Sequence, residues 1–166
     1  MEVLFIPKEG VALYEELLSS ETSRDALRFY RPVKTSAGVK ISMASLGSAL
    51  SLAADLRWYV RRYMRDVLFE ISDGVYCTRA LAHEIYYGRH VVLHTPWKFR
   101  KTCTFQSGYV ISEGRFGVDV DRTEATPGTT TGETVRLEIW CTEEEFLDQK
   151  RSDEKSDDLE DEVTSS

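Results

Sequence analysis

The side chains best equipped for recognition chemistry gather in Asp55-Leu56-Arg57-Trp58-Tyr59-Val60-Arg61-Arg62-Tyr63-Met64-Arg65-Asp66. On a helix, Leu46, Ala49, Ala53, Leu56, Val60, Met64 and Val67 form one apolar stripe, which belongs against a core. That stripe sends Trp58, Arg61, Arg62 and Arg65 to the opposite, outward half. A Trp set among arginines is the composition of an interface hot spot, because it joins large contact area to directed hydrogen bonds. The same residues could hold nucleic acid, with the arginines on phosphates and Trp58 stacked on a base or a duplex end. The bland alternative pairs Arg62 with Asp66 at i,i+4, engages Asp55 nearby, and covers Trp58 with another element of the domain.

A second basic cluster, Lys98, Arg100 and Lys101, follows Trp97. On a strand Lys98 and Arg100 share one face, while Phe99 and Lys101 take the other. Joined to the arginine helix, this face would make a patch large enough to grip a phosphate backbone. Spacing alone does not bring the two together, and a solvated strand face is the simpler expectation.

Other chemistries are poorly served. His83, His90 and His94 with Cys77 and Cys103 are the residue types that bind zinc. On a strand, however, His90 and His94 stand about 13 Å apart, and no C-x-x-C pair occurs. No metal site is expected. Nucleophilic catalysis needs a thiolate or activated hydroxyl beside an oriented base, and neither Cys77 nor Cys103 lies in a Gly-rich elbow or at a helix start. Gly108, Gly114 and Gly117 are too spread to cradle phosphates and fit turns or bulges better. The expectation is a protein without catalytic residues or cofactors. A cysteine-dependent hydrolase is the remote third class, marked by a reactive thiol of depressed pKa.

The elements that would position these residues fall in one chain of 166 residues, 42% hydrophobic and 11% aromatic, the composition of a folded domain. Val3 to Ile6, closed by Pro7, reads as a buried strand. Val11, Tyr14, Leu17 and Leu18 give a first helix; Thr22, Ser23 and Asp25 offer caps for a second through Ala26, Leu27 and Phe29. Val33 to Ile41 reads as a hairpin, residues 42 to 68 as the long helix, Ser72-Asp73-Gly74 as a turn, and Leu81 to Tyr87 as a short helix ended by Gly88. Strand composition then dominates: Val91 to Leu93, Lys98 to Ile111, Arg115 to Arg122 and Thr134 to Cys141, with a loop over residues 126–132. Val118 to Asp121 and Val135 to Ile139 alternate apolar and charged, as in a sheet covered on one side. The expected fold is α+β, with N-terminal helices packed on one face of a C-terminal antiparallel meander.

The net charge of −7 is unevenly placed. Eleven of the 28 acidic residues, but three of the 21 basic ones, lie from Glu143 onward, which leaves residues 1–142 one positive charge in excess. A nearly neutral domain is not a nonspecific polyanion binder unless its cations are locally concentrated. The reading is thus one domain over residues 1–147 and a disordered acidic tail over residues 148–166. The tail's serines precede acids, a context for acid-directed kinases, and the tail could fold back on the basic helix and weaken polyanion binding. The start lacks the pattern of a signal peptide, and no apolar run is long enough to span a membrane. An odd, scattered set of three cysteines suits a reducing compartment, cytoplasmic or nuclear.

The functional expectation is a non-enzymatic regulatory or accessory protein, of the kind viruses also encode, docking a protein partner through Trp58, Arg61, Arg62 and Arg65. The alternative is an RNA- or DNA-binding regulator using these residues with Lys98, Arg100 and Lys101. No membrane partner is expected. Homodimerisation through a sheet edge is compatible with either reading.

Overall fold

The computed structural model describes residues 1–88, 97–107, 109–115, 130–131 and 134–152. The expected strands at Val91–Leu93 and beyond Arg115, most of the 126–132 loop, His90, His94, Gly108, Gly117 and residues 153–166 lie outside the described residues. The structure is mixed α and β.

β1 (Glu2–Pro7) is buried along Val3, Leu4, Phe5 and Ile6, so both of its faces are covered. α1 (Leu13–Ser19) follows as its spacing predicts. α2 (Glu21–Leu27) starts after Ser20, ahead of the predicted caps. Ser23 does not cap because it is buried and its hydroxyl donates inward to the Leu17 and Ser20 carbonyls. β2 (Val33–Lys34) and β3 (Val39–Ser42) make the expected hairpin. Gly38 closes it at φ +152°, where an added Cβ would sit 2.1 Å from the Phe5 carbonyl oxygen.

The predicted long helix is instead two helices and a strand. α3 (Leu46–Asp55) begins with a capping box between Ser45 and Ser48. Leu56 leaves helical geometry at φ −90°, ψ 13°, and α4 (Arg57–Tyr63) sets off afresh. β4 (Met64–Ser72) then pairs with both β1 and β5. The apolar stripe misled because Met64 and Val67 continue a helical period, whereas Val67-Leu68-Phe69 with Ile71 is also a β-rich run. Pairing with a neighbour on each side, β1 and β5, decides for the strand. Arg65 therefore stands on β4, not on the helix.

β5 (Val75–Thr78) follows the turn at Gly74, whose φ is +72°. α5 (Arg79–His83) runs into a π-helical turn over Glu84–Gly88. β6 (Arg100–Gln106), β7 (Tyr109–Arg115), β8 (Thr130–Thr131) and β9 (Thr134–Trp140) complete the described sheet, and α6 covers residues 143–152. α6 extends past position 147. No described helix is long and apolar enough to cross a membrane.

The strand order is β2-β3-β1-β4-β5-β9-β6-β7, with β8 on β9. The antiparallel set β9-β6-β7 matches the expected C-terminal meander in part, but it is joined to five strands from the N-terminal half through a parallel pairing of β5 with β9. Of those five, β4 and β5 lie beyond the expected strands, because β4 continues a helical period and β5 is a run of only four residues.

Two apolar clusters flank this sheet. Residues of α1 to α5, such as Leu17, Leu27, Ala53, Tyr59 and Leu81, pack with Val3, Phe5, Ile41 and Phe69 on one face. On the other, Leu4, Ile6, Leu68 and Tyr76 cluster with Cys103, Phe105, Leu137 and Ile139, and no described helix takes part. The sheet supplies that cover by curling. β4 and β7 stand four strands apart, about 19 Å in a flat sheet, yet Arg65 of β4 reaches Glu113 of β7 at 3.3 Å.

Candidate functional site

α4 is held by Leu56 and Tyr59, both buried; the Tyr59 hydroxyl also bonds to that of Ser20. With Tyr59 turned inward, the two residues before it in the helix, Arg57 and Trp58, and the two a turn later, Arg61 and Arg62, are exposed. Trp58 is 56% exposed, so no other described element covers it. Its ring meets Tyr59 and Tyr63 edge-on at 5.0 and 5.8 Å. The Arg62 guanidinium lies 5.5 Å from the Trp58 ring and 5.6 Å from that of Tyr63, a cation–π arrangement that fixes both side chains. Lys8 donates to the Arg61 carbonyl at 2.8 Å, placing a further ammonium at the end of the helix, where the helix dipole favours it.

The pairing of Arg62 with Asp66 at i,i+4 does not arise, because the helix ends at Tyr63. Asp66 accepts from the Val67 amide at 2.9 Å. Burial pushes its carboxyl above the usual range, with Lys101 partly offsetting the effect.

Arg65 and Lys101, from the two separate basic clusters, meet at one carboxylate. Arg65 Nη2 lies 3.3 Å from Glu113 Oε2, and Lys101 Nζ lies 3.1 Å from Oε1. Burial alone would raise the Glu113 carboxyl, but Lys101 and then Arg65 outweigh it and hold it below the usual value. Burial likewise opposes the charge on Lys101, whose side chain is 16% exposed, and Glu113 reverses the balance and raises its pKa. Arg100 pairs with Glu138 at 3.3 Å, and the same Glu138 oxygen accepts from the Trp140 indole at 2.8 Å. Lys98 is exposed. Of the seven predicted residues, Trp58, Arg61 and Arg62 form one open face; Arg65 and Lys101 are joined through Glu113; Arg100 and Lys98 lie elsewhere, on the start of β6 and just before it.

The thiols are poorly suited to attack. Burial pushes Cys77 and Cys103 up to about 12 and Cys141 to about 11, with Glu145 adding to the effect on Cys77 and Cys141 and Glu113 to that on Cys103. Among the described residues no three His, Cys, Asp or Glu side chains converge as a metal site. His83 stacks on Tyr87 at 5.4 Å.

Sequence reasoning missed Glu113 and Glu138, the carboxylates that engage the predicted cations. Cross-strand partners depend on register, and no local signal gives it. It also missed an open cleft of about 700 Å³ between α6 and the π-helical turn, lined by Trp97 and Phe99 and by the carboxylates of Glu84, Glu143, Glu144 and Asp148 among others. The legible sign was Thr142-Glu143-Glu144-Glu145, a capping-box start for α6.

Residues 1–95 match a family of unknown function, DUF5804, and with more than half of its length matched the chain belongs to that family. The match takes in β1 to α5 and the exposed face of α4, and stops before the Lys98, Arg100 and Lys101 cluster. No curated protein and no solved structure matches the chain.

Proposed function

We propose that this member of DUF5804 is a non-enzymatic regulatory or accessory protein that docks a protein partner through α4, with Trp58 as the anchor and Arg61 and Arg62 beside it. The observation that carries the reading is the exposed indole of Trp58 under the Arg62 guanidinium, on a helix whose neighbouring Leu56 and Tyr59 are fully engaged in the core. A Trp offers up to about 250 Å² of surface. Covering the exposed half at about 25 cal/mol per Å² would contribute on the order of 3 kcal/mol to a complex, the scale of a hot spot.

A protein partner is favoured over RNA or DNA because Arg65, Lys101 and Arg100 already face Glu113 and Glu138. Nucleic-acid affinity grows with the number of phosphates neutralised, and each internal ion pair subtracts from it. A photo-crosslinking residue placed at the exposed position 54, one turn before the intact Trp58, tests the choice in cells. The docking reading expects discrete protein adducts that vanish with Arg62→Ala. Short fluorescent RNA or DNA binding tightly to the full chain, with a steep loss as salt rises and on changing Arg61, Arg62 and Arg65 to Ala, would overturn it.

A further inference from the structure

The exposed strip of α4 concentrates positive charge. Arg57 and Arg61 are i,i+4 neighbours, a spacing at which like charges repel. Arg62 is turned onto the Trp58 ring, and Lys8 joins the helix end. Among the described residues none of Arg57, Arg61 and Arg62 has a carboxylate within ion-pair distance. The same chain carries the complementary composition. Residues 153–166 hold seven carboxylates and one lysine, and within them Leu159 and Val163 stand four apart with Glu160, Asp161 and Glu162 between them. Apolar residues at i,i+4 flanked by acids suit an aromatic ring framed by arginines.

We propose that residues 153–166 dock on the Trp58, Arg61 and Arg62 face of α4 within the same chain and compete there with the partner. The proposal rests on the docking face described above and names its regulation. The seven residues from Asp153 to Leu159 span up to about 23–25 Å when extended, more than half the width of a domain of this size, about 40 Å across. Tethering gives the acidic segment a local concentration in the mM range, so a weak charge-driven contact is populated without a tight intrinsic affinity. Exposed charge pairs of this kind weaken as salt shortens the screening length.

The test uses the full chain with Ser165→Cys carrying a nitroxide label. Cys77, Cys103 and Cys141 are buried and leave the new thiol as the reactive one. The readout is the indole N–H NMR signal of Trp58, assigned through Trp58→Phe. At low salt its intensity should fall to roughly half or less of that in the reduced, diamagnetic sample, as mM local concentration implies. It should recover in high salt and in the Arg61→Glu/Arg62→Glu variant. An unchanged signal at low salt, broadening that survives that charge reversal, or broadening transferred between labelled and unlabelled copies would each overturn the proposal. No partner is present in the measurement, so its failure leaves the docking reading standing, and failure of the position-54 crosslink leaves the intramolecular contact standing.

Discussion

Thr78 and Glu145 meet through a 2.7 Å hydrogen bond across 67 positions of sequence. The Thr78 hydroxyl accepts from the Leu81 amide, capping α5, while it donates to Glu145 Oε2. That same oxygen accepts from the Thr142 amide at 2.9 Å, and the Glu145 amide donates back to the Thr142 hydroxyl, closing the capping box of α6. One carboxylate thereby ties the starts of two helices to the end of β5. Thr78→Val leaves the Leu81 amide uncapped and takes a donor from Glu145, so a loss of about 1–3 kcal/mol is expected. A lowered urea midpoint at unchanged slope would register it, and an unshifted midpoint would show the tie to be energetically idle.

Glu113 and Asp66 should give opposite pH dependences. The folded pKa of Glu113 is lowered, so its stabilisation is fully present above the ordinary carboxyl value of 4.5 and is lost as pH falls through the folded value. Glu113→Gln should cost about 1 kcal/mol at pH 7, a charge-assisted bond discounted for its partial exposure, and the difference from the native chain should vanish in acid. Asp66 has a raised folded pKa, so its ionisation costs stability above that value and the cost fades as pH falls toward 3.8. Asp66→Asn should stabilise near neutrality and lose its advantage in acid. Denaturant titrations at several pH values distinguish these slopes from parallel ones.

Trp58 and Leu56 are two positions apart and serve different ends. Leu56 is fully buried, and Leu56→Ala should cost about 2–5 kcal/mol. Trp58→Ala should change stability by no more than about 1 kcal/mol, since the lost interactions are exposed edge-on and cation–π contacts. A Trp58→Ala chain that unfolds as readily as Leu56→Ala would mean that the indole supports the fold and is not held out for a partner.

Cys77, Cys103 and Cys141 should resist a thiol reagent in the native state at about pH 8, near the pKa of a free thiol. Each is buried and each thiol is raised to about 11 or 12. Stoichiometric colour from an aromatic disulfide reagent should develop only in denaturant. Rapid labelling of Cys77 or Cys103 in the folded chain would reopen the hydrolase reading.

The local signals in the sequence were good guides wherever a single element decided its own shape. β1, the β2–β3 hairpin, the Gly74 turn and the β9 alternation were legible because apolar runs, glycines and period-2 patterns are local. The break at Leu56 and the switch of Met64–Ser72 to a strand were not, since they depend on ladders with β1 and β5 that the residues themselves do not encode. At the candidate site, the outward placement of Trp58, Arg61 and Arg62 followed from the core stripe. The meeting of Arg65 with Lys101 did not, because it needs both the register that places Glu113 opposite Cys103 and the curl that brings β7 back to β4.

The position of β9 between β5 and β6 imposes an order on synthesis. β5 is complete at Thr78, but the neighbour that covers its free edge begins only at Thr134. At ribosomal rates of about 5–20 residues per second, this interval lasts roughly 3–11 s. For that time the nascent chain presents an open strand edge beside an apolar face, the geometry from which chains pair with one another. Ribosome-arrested chains ending between these two strands should therefore be the protease-sensitive and self-associating ones, and those extending well past Trp140 should not.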